Sequence, residues 1–132
     1  MDRLFLDANV LFSAAYRPDA GLLQLWKLPD AALCASHYAV EEARINLAEP
    51  DQRLRLAQLT KRLSFFDAIH GKLPREISLP EKDVPIMLSA IEARATHLLT
   101  GDFRHFGRYF GRRIGGVLIL PPAAYLSSRR AT

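Results

Sequence analysis

Four acidic side chains stand where a folded chain could bring them together for chemistry. Asp7 closes a short apolar run, and Asp102 follows another such run. Asp83 precedes an apolar stretch with helical spacing, and Glu42 lies about two turns into another predicted helix. Carboxylates packed together repel one another unless a divalent cation neutralises them. Oxygen ligands of this kind favour Mg²⁺ or Mn²⁺, so the four acids predict a metal site.

An acidic metal site of this kind suits the hydrolysis of phosphodiesters. Two ions about 3.5–4 Å apart can activate water and stabilise the leaving oxygen. The chain is basic, with a net charge of +4 and a pI near 9.6, which favours a polyanionic partner. Its basic residues become more frequent toward the C-terminus, at Arg94, Arg104, Arg108, Arg112, Arg113, Arg129 and Arg130. A basic surface that binds a nucleic acid and an acidic metal site that cleaves it are consistent with each other in one protein.

Each acid also has an interpretation that involves no catalysis. Asp83 could cap its helix, and Asp102 could be an ordinary turn residue. Glu42 could lie on a solvated helix face, and the adjacent Glu41 competes for the same role. Asp7 is the hardest to explain by stability, because a charged residue seldom ends an apolar central strand.

The hydrophobic pattern predicts the elements that would position these residues. Strands are predicted at 3–6, 31–35, 97–100 and 117–120, with a brief edge strand at 64–66. Helices are predicted at 9–16, 21–28, 38–48, 51–63 and 84–95, and residues 67–80 form a loop. Ser36 is the expected N-cap of the third helix, and Pro85 falls in the first turn of the last. Alternating strands and helices predict an α/β fold with a parallel sheet, which binds ligands at the carboxyl ends of its strands.

Length and composition limit the class of protein. The 132 residues fit one domain, residues 1–132, and 49% of them are hydrophobic, enough for a real core. The single cysteine, Cys34, excludes an internal disulfide framework and a cysteine-rich zinc site. No apolar stretch approaches the ~20 residues of a membrane span. Because Asp7 and Asn9 also interrupt any signal-peptide core, we expect a soluble cytoplasmic protein without a membrane partner.

The same residues resemble the sequence blocks of the PIN-domain family. Residues 4–11 are similar to that family's opening strand, which ends in Asp-Thr/Ser-Asn-Val, and residues 36–47 look like its second block. Residues 83–86 and 97–102 are similar to the third and fourth blocks. The four blocks follow in the family's order and spacing and span nearly the whole chain.

The resemblance implies a three-layer α/β/α PIN-like domain with a short parallel sheet. It also implies cleavage of RNA by a metal-activated water with Mg²⁺ or Mn²⁺ as cofactor. Glu42 is preferred to Glu41, because it follows Ser36 at the distance of the family's glutamate. Asp7, Glu42, Asp83 and Asp102 stand at the positions of the family's metal-binding acids, so the resemblance implies that these four residues bind the metal and catalyse the reaction.

Stand-alone domains of this length look most like the toxin halves of bacterial toxin–antitoxin pairs of the VapC type. Many of those toxins dimerise and are silenced by an antitoxin that inserts near the acidic site. An RNA substrate, a cognate antitoxin protein and a homodimer are therefore the expected partners.

Two departures from the family pattern keep a second function open. Ala8 replaces the usual Thr or Ser after the first aspartate, and His105 stands where many members carry a further acid. A catalytically weak PIN domain that binds RNA or protein as a regulatory module is the alternative. Asn9, Thr100 and His105 are the predicted supporting residues. Each also has a simpler interpretation: Asn9 could stabilise a local turn, Thr100 could be an ordinary strand threonine, and His105 could pack beside Phe106.

The basic residues near the predicted site are candidates for RNA contacts. These are Arg44, Arg104, Arg108, Arg112 and Arg113. The last four interleave with aromatic residues, a combination that suits single-stranded RNA, although the aromatics could equally belong to the core. Arg44 could instead lie on a solvated helix face. An aspartate-nucleophile phosphatase is disfavoured, because Asn9 stands where that chemistry needs a second aspartate.

Overall fold

Strands and helices alternate along the chain, as the hydrophobic pattern predicts. The computed structural model describes residues 1–68 and 70–130. Its strands are β1 (Asp2–Leu6), β2 (Ala31–Ala35), β3 (Ser64–Phe65), β4 (His97–Leu99), β5 (Arg113–Ile114) and β6 (Val117–Leu120). Its α-helices are α1 (Ala8–Tyr16), α2 (His37–Asn46), α3 (Pro50–Thr60), α4 (Val84–Glu92), α5 (Phe103–Phe106) and α6 (Pro122–Arg130). Short 3-10 helices cover Gly21–Lys27, Glu81–Asp83 and Gly107–Tyr109.

The described strands form one mostly parallel sheet in the order β3-β2-β1-β4-β6-β5. Only the edge strand β5 runs antiparallel, paired with β6. Parallel strands are joined by right-handed crossovers, so α1, α2 and α3 cover one face and α4 the other. Consistent with this, α1 packs against both α2 and α3. The predicted three-layer α/β/α arrangement is confirmed, with an antiparallel edge that the sequence did not reveal.

The centre of the sheet lies at β1 and β4, which are buried at Leu4, Phe5 and Leu6 and at Leu98 and Leu99. Phe5 pairs with Cys34 of β2 on one side and with Leu98 of β4 on the other. The chain leaves β1 toward β2 and later crosses back to β4, so the direction of winding reverses at this pair. A crevice forms outside the carboxyl ends of strands at such a reversal. Asp7 and the turn after β4 therefore lie side by side.

Several element boundaries differ from the predicted ones for local reasons. The predicted helix 21–28 is a 3-10 helix, Gly21–Lys27, and the predicted helix 84–95 ends at Glu92. Arg94 takes the left-handed conformation (φ 54°), which stops that helix. The predicted loop 67–80 contains no helix or strand among its described residues, and Ile69 lies outside them. No helix in the described part of the chain is long and apolar enough to cross a membrane.

A two-residue turn at Gly115 and Gly116 joins β5 to β6. Both glycines have positive φ, 58° and 85°, as the tightest hairpin turns require. A Cβ atom on Gly115 would lie 2.8 Å from Ile91 Cδ1 of α4. The turn therefore needs glycine at this position for its backbone and for its packing.

We expect Gly115→Ala to destabilise the protein by about 1–3 kcal/mol, the cost of left-handed strain plus a displaced Ile91 side chain. Urea denaturation measures the loss. Gly116→Ala is the matched control, because its φ is also positive but no atom of the described residues lies within 4 Å of an added Cβ. Equal losses in the two variants would show that the Ile91 contact costs nothing.

Candidate active site

The four predicted acids line one cleft at the carboxyl edge of the sheet. Asp7 follows β1, Glu42 lies on α2, Asp83 precedes α4, and Asp102 follows β4. The cleft has a volume of about 440 Å³. Its other lining residues are Ala8, Asn9, Phe12, Ala43, Asn46 and Lys82. The structure thus brings together the four segments that the sequence singles out.

Asp7 is a buried carboxylate with every oxygen occupied. Its Oδ1 accepts a hydrogen bond from the backbone N–H of Ala8 (2.7 Å), at the N-terminus of α1. Its Oδ2 accepts hydrogen bonds from the Thr100 hydroxyl (2.8 Å) and from Asn9 Nδ2 (3.2 Å). Burial raises the pKa of Asp7. The hydrogen bonds from the Thr100 hydroxyl and the Ala8 N–H oppose the rise, and the charges of Asp83 and Glu42 add to it.

Asn9 and Thr100 fix Asp7 against the turn that carries Asp102. Asn9 Oδ1 accepts a hydrogen bond from the Gly101 backbone N–H (2.7 Å), and Asn9 Nδ2 reaches the Thr100 hydroxyl (3.2 Å). The same hydroxyl accepts a hydrogen bond from the Asp102 backbone N–H (3.1 Å). Asn9 and Thr100, two of the three predicted supporting residues, therefore position the acids that follow neighbouring strands. Local turn chemistry does not account for their contact, which spans 91 residues.

The two adjacent glutamates of α2 point in different directions. Ser36 caps the helix by accepting a hydrogen bond from the Ala39 N–H, as predicted (3.0 Å). Glu42 lines the cleft and is half-buried. Glu41 is exposed and forms a bidentate pair with Arg44, at 2.9 and 2.5 Å. The rotational phase of α2 thus directs Glu42, and not Glu41, toward the other acids. Arg44 pairs with Glu41 and does not line the cleft.

Asp83 is buried at the start of α4 but does not cap it. It stands at the N-cap position with helical φ and ψ (−95°, −10°), and its side chain makes no capping hydrogen bond. Pro85 in the first turn offers no N–H. Oδ1 of Asp83 lies 3.5 Å from the Lys82 ammonium, and Oδ2 has no hydrogen-bond partner among the described residues. The capping interpretation therefore fails for this acid.

Asp102 and His105 form a close pair beside Asp83. Asp102 caps α5 by accepting a hydrogen bond from the His105 N–H (3.0 Å). His105 Nδ1 lies 2.9 Å from Asp102 Oδ2 and 3.1 Å from Asp83 Oδ2. Burial raises the pKa of Asp102, but the hydrogen bonds and charge of His105 outweigh it and hold that pKa below its usual value. His105 therefore touches both acids and is not simply packed beside Phe106.

Lys82 is the charged residue of the cleft that sequence reasoning missed. Burial lowers its pKa, but the charges of Asp83, Glu42 and Asp102 prevail and raise it. Its only sequence signal is its place beside Asp83, within a 3-10 turn that the pattern did not predict. The site thus holds a partly exposed ammonium among its four carboxylates.

Comparison with known proteins gives a structural match without a sequence match. No family model matches the chain, and no curated protein has a similar sequence. The structure is similar to a chain in the crystal structure of VapBC2 from Rickettsia felis bound to a DNA fragment from their promoter. The TM-score is 0.67 at 17% identity, over 90% of this chain and 98% of that chain. The fold is PIN-like.

Within this PIN-like fold, three side chains could hold a metal ion together. Donor atoms of Asp83, Asp102 and His105 all lie within 4.8 Å of one another. Asp83 Oδ2, which is buried without a hydrogen-bond partner among the described residues, lies 3.1 Å from His105 Nδ1. The donors and the unpaired oxygen both fit a divalent cation.

The predicted RNA-contact segment divides into core and surface. Phe106 and Tyr109 are buried, and Phe110 is half-buried. Phe103, directly after Asp102, is 70% exposed. The four arginines of the segment are all exposed, at Arg104, Arg108, Arg112 and Arg113. Half of the predicted aromatic set therefore belongs to the core.

An apolar groove adjoins the cleft. It has a volume of about 580 Å³ and lies between α1, the 3-10 helix Gly21–Lys27 and α6. Phe12 lines both the groove and the cleft. Tyr16, which also lines the groove, is half exposed. The groove therefore continues the cleft along α1.

Proposed function

We propose that this chain is a divalent-metal-dependent endoribonuclease that hydrolyses RNA phosphodiester bonds in the cleft. The observation that carries the proposal is the convergence of four carboxylates from four segments, one of them with an unpaired buried oxygen. Four carboxylates that share one cleft with Lys82, two of them beside His105, are only partly balanced in charge, so their assembly there is better explained by a cation than by stability.

In this proposal Asp7, Glu42, Asp83 and Asp102 hold Mg²⁺ or Mn²⁺. When bound, the cation supplies Lewis-acid polarisation of the phosphodiester and lowers the pKa of water. Asp7 acts from a fixed position, because Thr100 and Asn9 hold its Oδ2. A rigidly held ligand keeps the reacting groups aligned, which lowers the entropic part of the barrier.

The positive groups around the cleft bind the RNA. Lys82 lies at the mouth, where its ammonium contacts a phosphate oxygen and balances developing negative charge. Phe103 stacks on an unpaired base, and the exposed arginines that follow it contact the backbone. Stacking requires an unstacked base, so the proposed substrate is single-stranded or looped RNA.

An antitoxin partner and self-association complete the proposal. The solved structure with the similar fold is a VapBC2 complex bound to DNA, which supports a protein partner for this chain as well. The apolar groove beside the cleft is where we place that partner, because binding there covers Phe12 and one wall of the cleft. A homodimer would be read directly from the molar mass of the purified protein by light scattering.

The test is cleavage of a mixed RNA pool by purified protein with Mg²⁺ or Mn²⁺, and with excess EDTA. Cleavage is expected only with the metal. Glu42→Gln should lower the rate by about 10-fold to 100-fold, because it removes one metal ligand. Glu41→Gln is the matched control and should leave the rate unchanged, since Glu41 faces solvent with Arg44.

Cleavage that continues in EDTA would contradict the proposal. Equal losses in Glu41→Gln and Glu42→Gln would contradict the assignment of Glu42. Absence of cleavage by folded, partner-free protein, with RNA binding that weakens steeply with salt, would favour the regulatory module instead.

A further inference from the structure

His105 lies between two carboxylates and can satisfy only one of them. Its Nδ1 is 2.9 Å from Asp102 Oδ2 and 3.1 Å from Asp83 Oδ2. A ring nitrogen carries either one proton or one lone pair. The proton serves Asp102, with which Nδ1 has hydrogen-bond geometry. Asp83 Oδ2 is therefore left without a hydrogen-bond partner in the part of the chain that the structure describes.

The unpaired oxygen is deeply buried. Asp83 is only 6% exposed, and its Oδ2 has no hydrogen-bond partner among the described residues. An unsatisfied buried carboxylate oxygen costs more than almost any other polar defect. Lys82 does not remove the defect, because its ammonium lies beside Oδ1 and not beside Oδ2. A group that contacts the carboxylates of Asp83 and Asp102 and the His105 nitrogen at once would remove it.

Two of the three spacings between the donor atoms match the geometry of a single cation. In octahedral coordination with bonds of about 2.1 Å, adjacent ligand atoms are about 3 Å apart. The two distances from His105 Nδ1, 2.9 and 3.1 Å, match that separation. Two carboxylate oxygens and His105 Nδ1 form the donor set, and Nδ1 ligates as neutral imidazole once its proton has passed to Nε2 or to solvent. Imidazole suits first-row transition metals, whereas Mg²⁺ prefers oxygen ligands and retains its waters.

We infer that His105 is a metal ligand together with Asp83 and Asp102, and that it makes this part of the cleft select Mn²⁺ over Mg²⁺. The inference rests on the proposed function for the presence of a metal. It goes further in assigning a nitrogen ligand where the resembling family carries an acid. A purely supporting role for His105, in which it only orients Asp102, predicts no metal–nitrogen bond.

The test is pulsed electron paramagnetic resonance of the full chain loaded with Mn²⁺ alone. A directly bound histidine is expected to give a ¹⁴N modulation, and selective ¹⁵N labelling of histidine should convert it to the ¹⁵N pattern without any mutation. His105→Asn should abolish the signal and weaken Mn²⁺ binding by at least about tenfold. His105→Asp should retain Mn²⁺ without the nitrogen signal, and should need less Mg²⁺ than wild type to displace it.

His37→Asn is the matched control. His37 also pairs with an aspartate, Asp67, at 2.6 Å, but it is exposed and belongs to no cluster of three donors within the described residues. Its replacement should leave the nitrogen signal intact. A nitrogen signal that survives His105→Asn would overturn the inference.

The outcomes separate this inference from the proposed function. Bound Mn²⁺ without histidine nitrogen, in protein that cleaves RNA, overturns the inference and leaves the nuclease standing. A nitrogen signal in protein that cleaves no RNA supports the inference and contradicts the nuclease. Protein that binds no Mn²⁺ contradicts both.

Discussion

Asp83→Asn is expected to abolish RNA cleavage while leaving the metal-free protein at least as stable as wild type. The change removes a buried negative charge that faces Asp7, Asp102 and Glu42 across the cleft. It also removes a carboxylate whose Oδ2 has no hydrogen-bond partner in the described chain, and no helix cap is lost. The free energy of unfolding in EDTA should stay unchanged or rise by up to about 2 kcal/mol, a common result where a strained site is relaxed.

The loss of cleavage in Asp83→Asn should be on the order of 100-fold or more, typical for the removal of a group that stabilises charge in the transition state. Urea denaturation in EDTA and RNA cleavage in Mn²⁺ measure the two effects. Glu81→Gln, an exposed acid in the same 3-10 turn, is the control and should change neither. A clear fall in stability for Asp83→Asn would show that Asp83 serves the fold.

Asp7→Asn should abolish cleavage to a similar extent but should destabilise the protein. The carboxylate accepts hydrogen bonds from the Ala8 N–H, the Thr100 hydroxyl and the Asn9 amide. The NH₂ group of an asparagine would point at one of these donors and could not accept its hydrogen bond. A buried donor left without an acceptor costs about 1–3 kcal/mol. Asp19→Asn is the control, because this acid is exposed and does not line the cleft.

The stability loss in Asp7→Asn should depend on pH in a defined direction. Burial raises the pKa of Asp7 above 3.8, so the native state binds this proton more tightly than the unfolded state does. The contribution of Asp7 to the free energy of unfolding of the wild-type protein is therefore fully present below pH 3.8. It declines as the pH rises through the raised pKa. The variant lacks this decline, so the difference between the two proteins should narrow with rising pH. Urea titrations in EDTA at several pH values measure it, and a widening difference would contradict the burial of Asp7.

Much of the fold could be predicted because its buried strands are short apolar runs with clear stops. β2 and β6 have the predicted bounds, and β1 ends at the residue that precedes Asp7. The sequence did not predict helix α6, because Pro121 and Pro122 indicate only the end of the last strand. Proline is tolerated in the first turn of a helix, so the pair ends β6 and Pro122 begins α6.

The candidate site shows where sequence reasoning ends. Strand ends sufficed to predict that Asp7 and Asp102 meet, since parallel strands share one carboxyl edge. Choosing Glu42 over Glu41 from the residues alone would need the rotational phase of α2 against the sheet, and in the sequence only the family resemblance supplied that choice. The missing cap at Asp83 depends on a helical backbone at that residue, which composition does not encode. Placing Lys82 in the cleft would have required predicting the 3-10 turn Glu81–Asp83, whose three residues carry no periodic pattern.

The network around Asp7 also sets when the site can exist during synthesis. Thr100, which holds Asp7 Oδ2, lies 93 residues later in the chain. A ribosome releases the N-terminal segments first, so Asp7, Glu42 and Asp83 emerge before β4 is available to pair with β1. A nascent chain stopped before β4 carries three of the four acids but no assembled cleft. Under the proposed function, this order means that most of the protein's own message is translated before the site that would cut RNA can assemble.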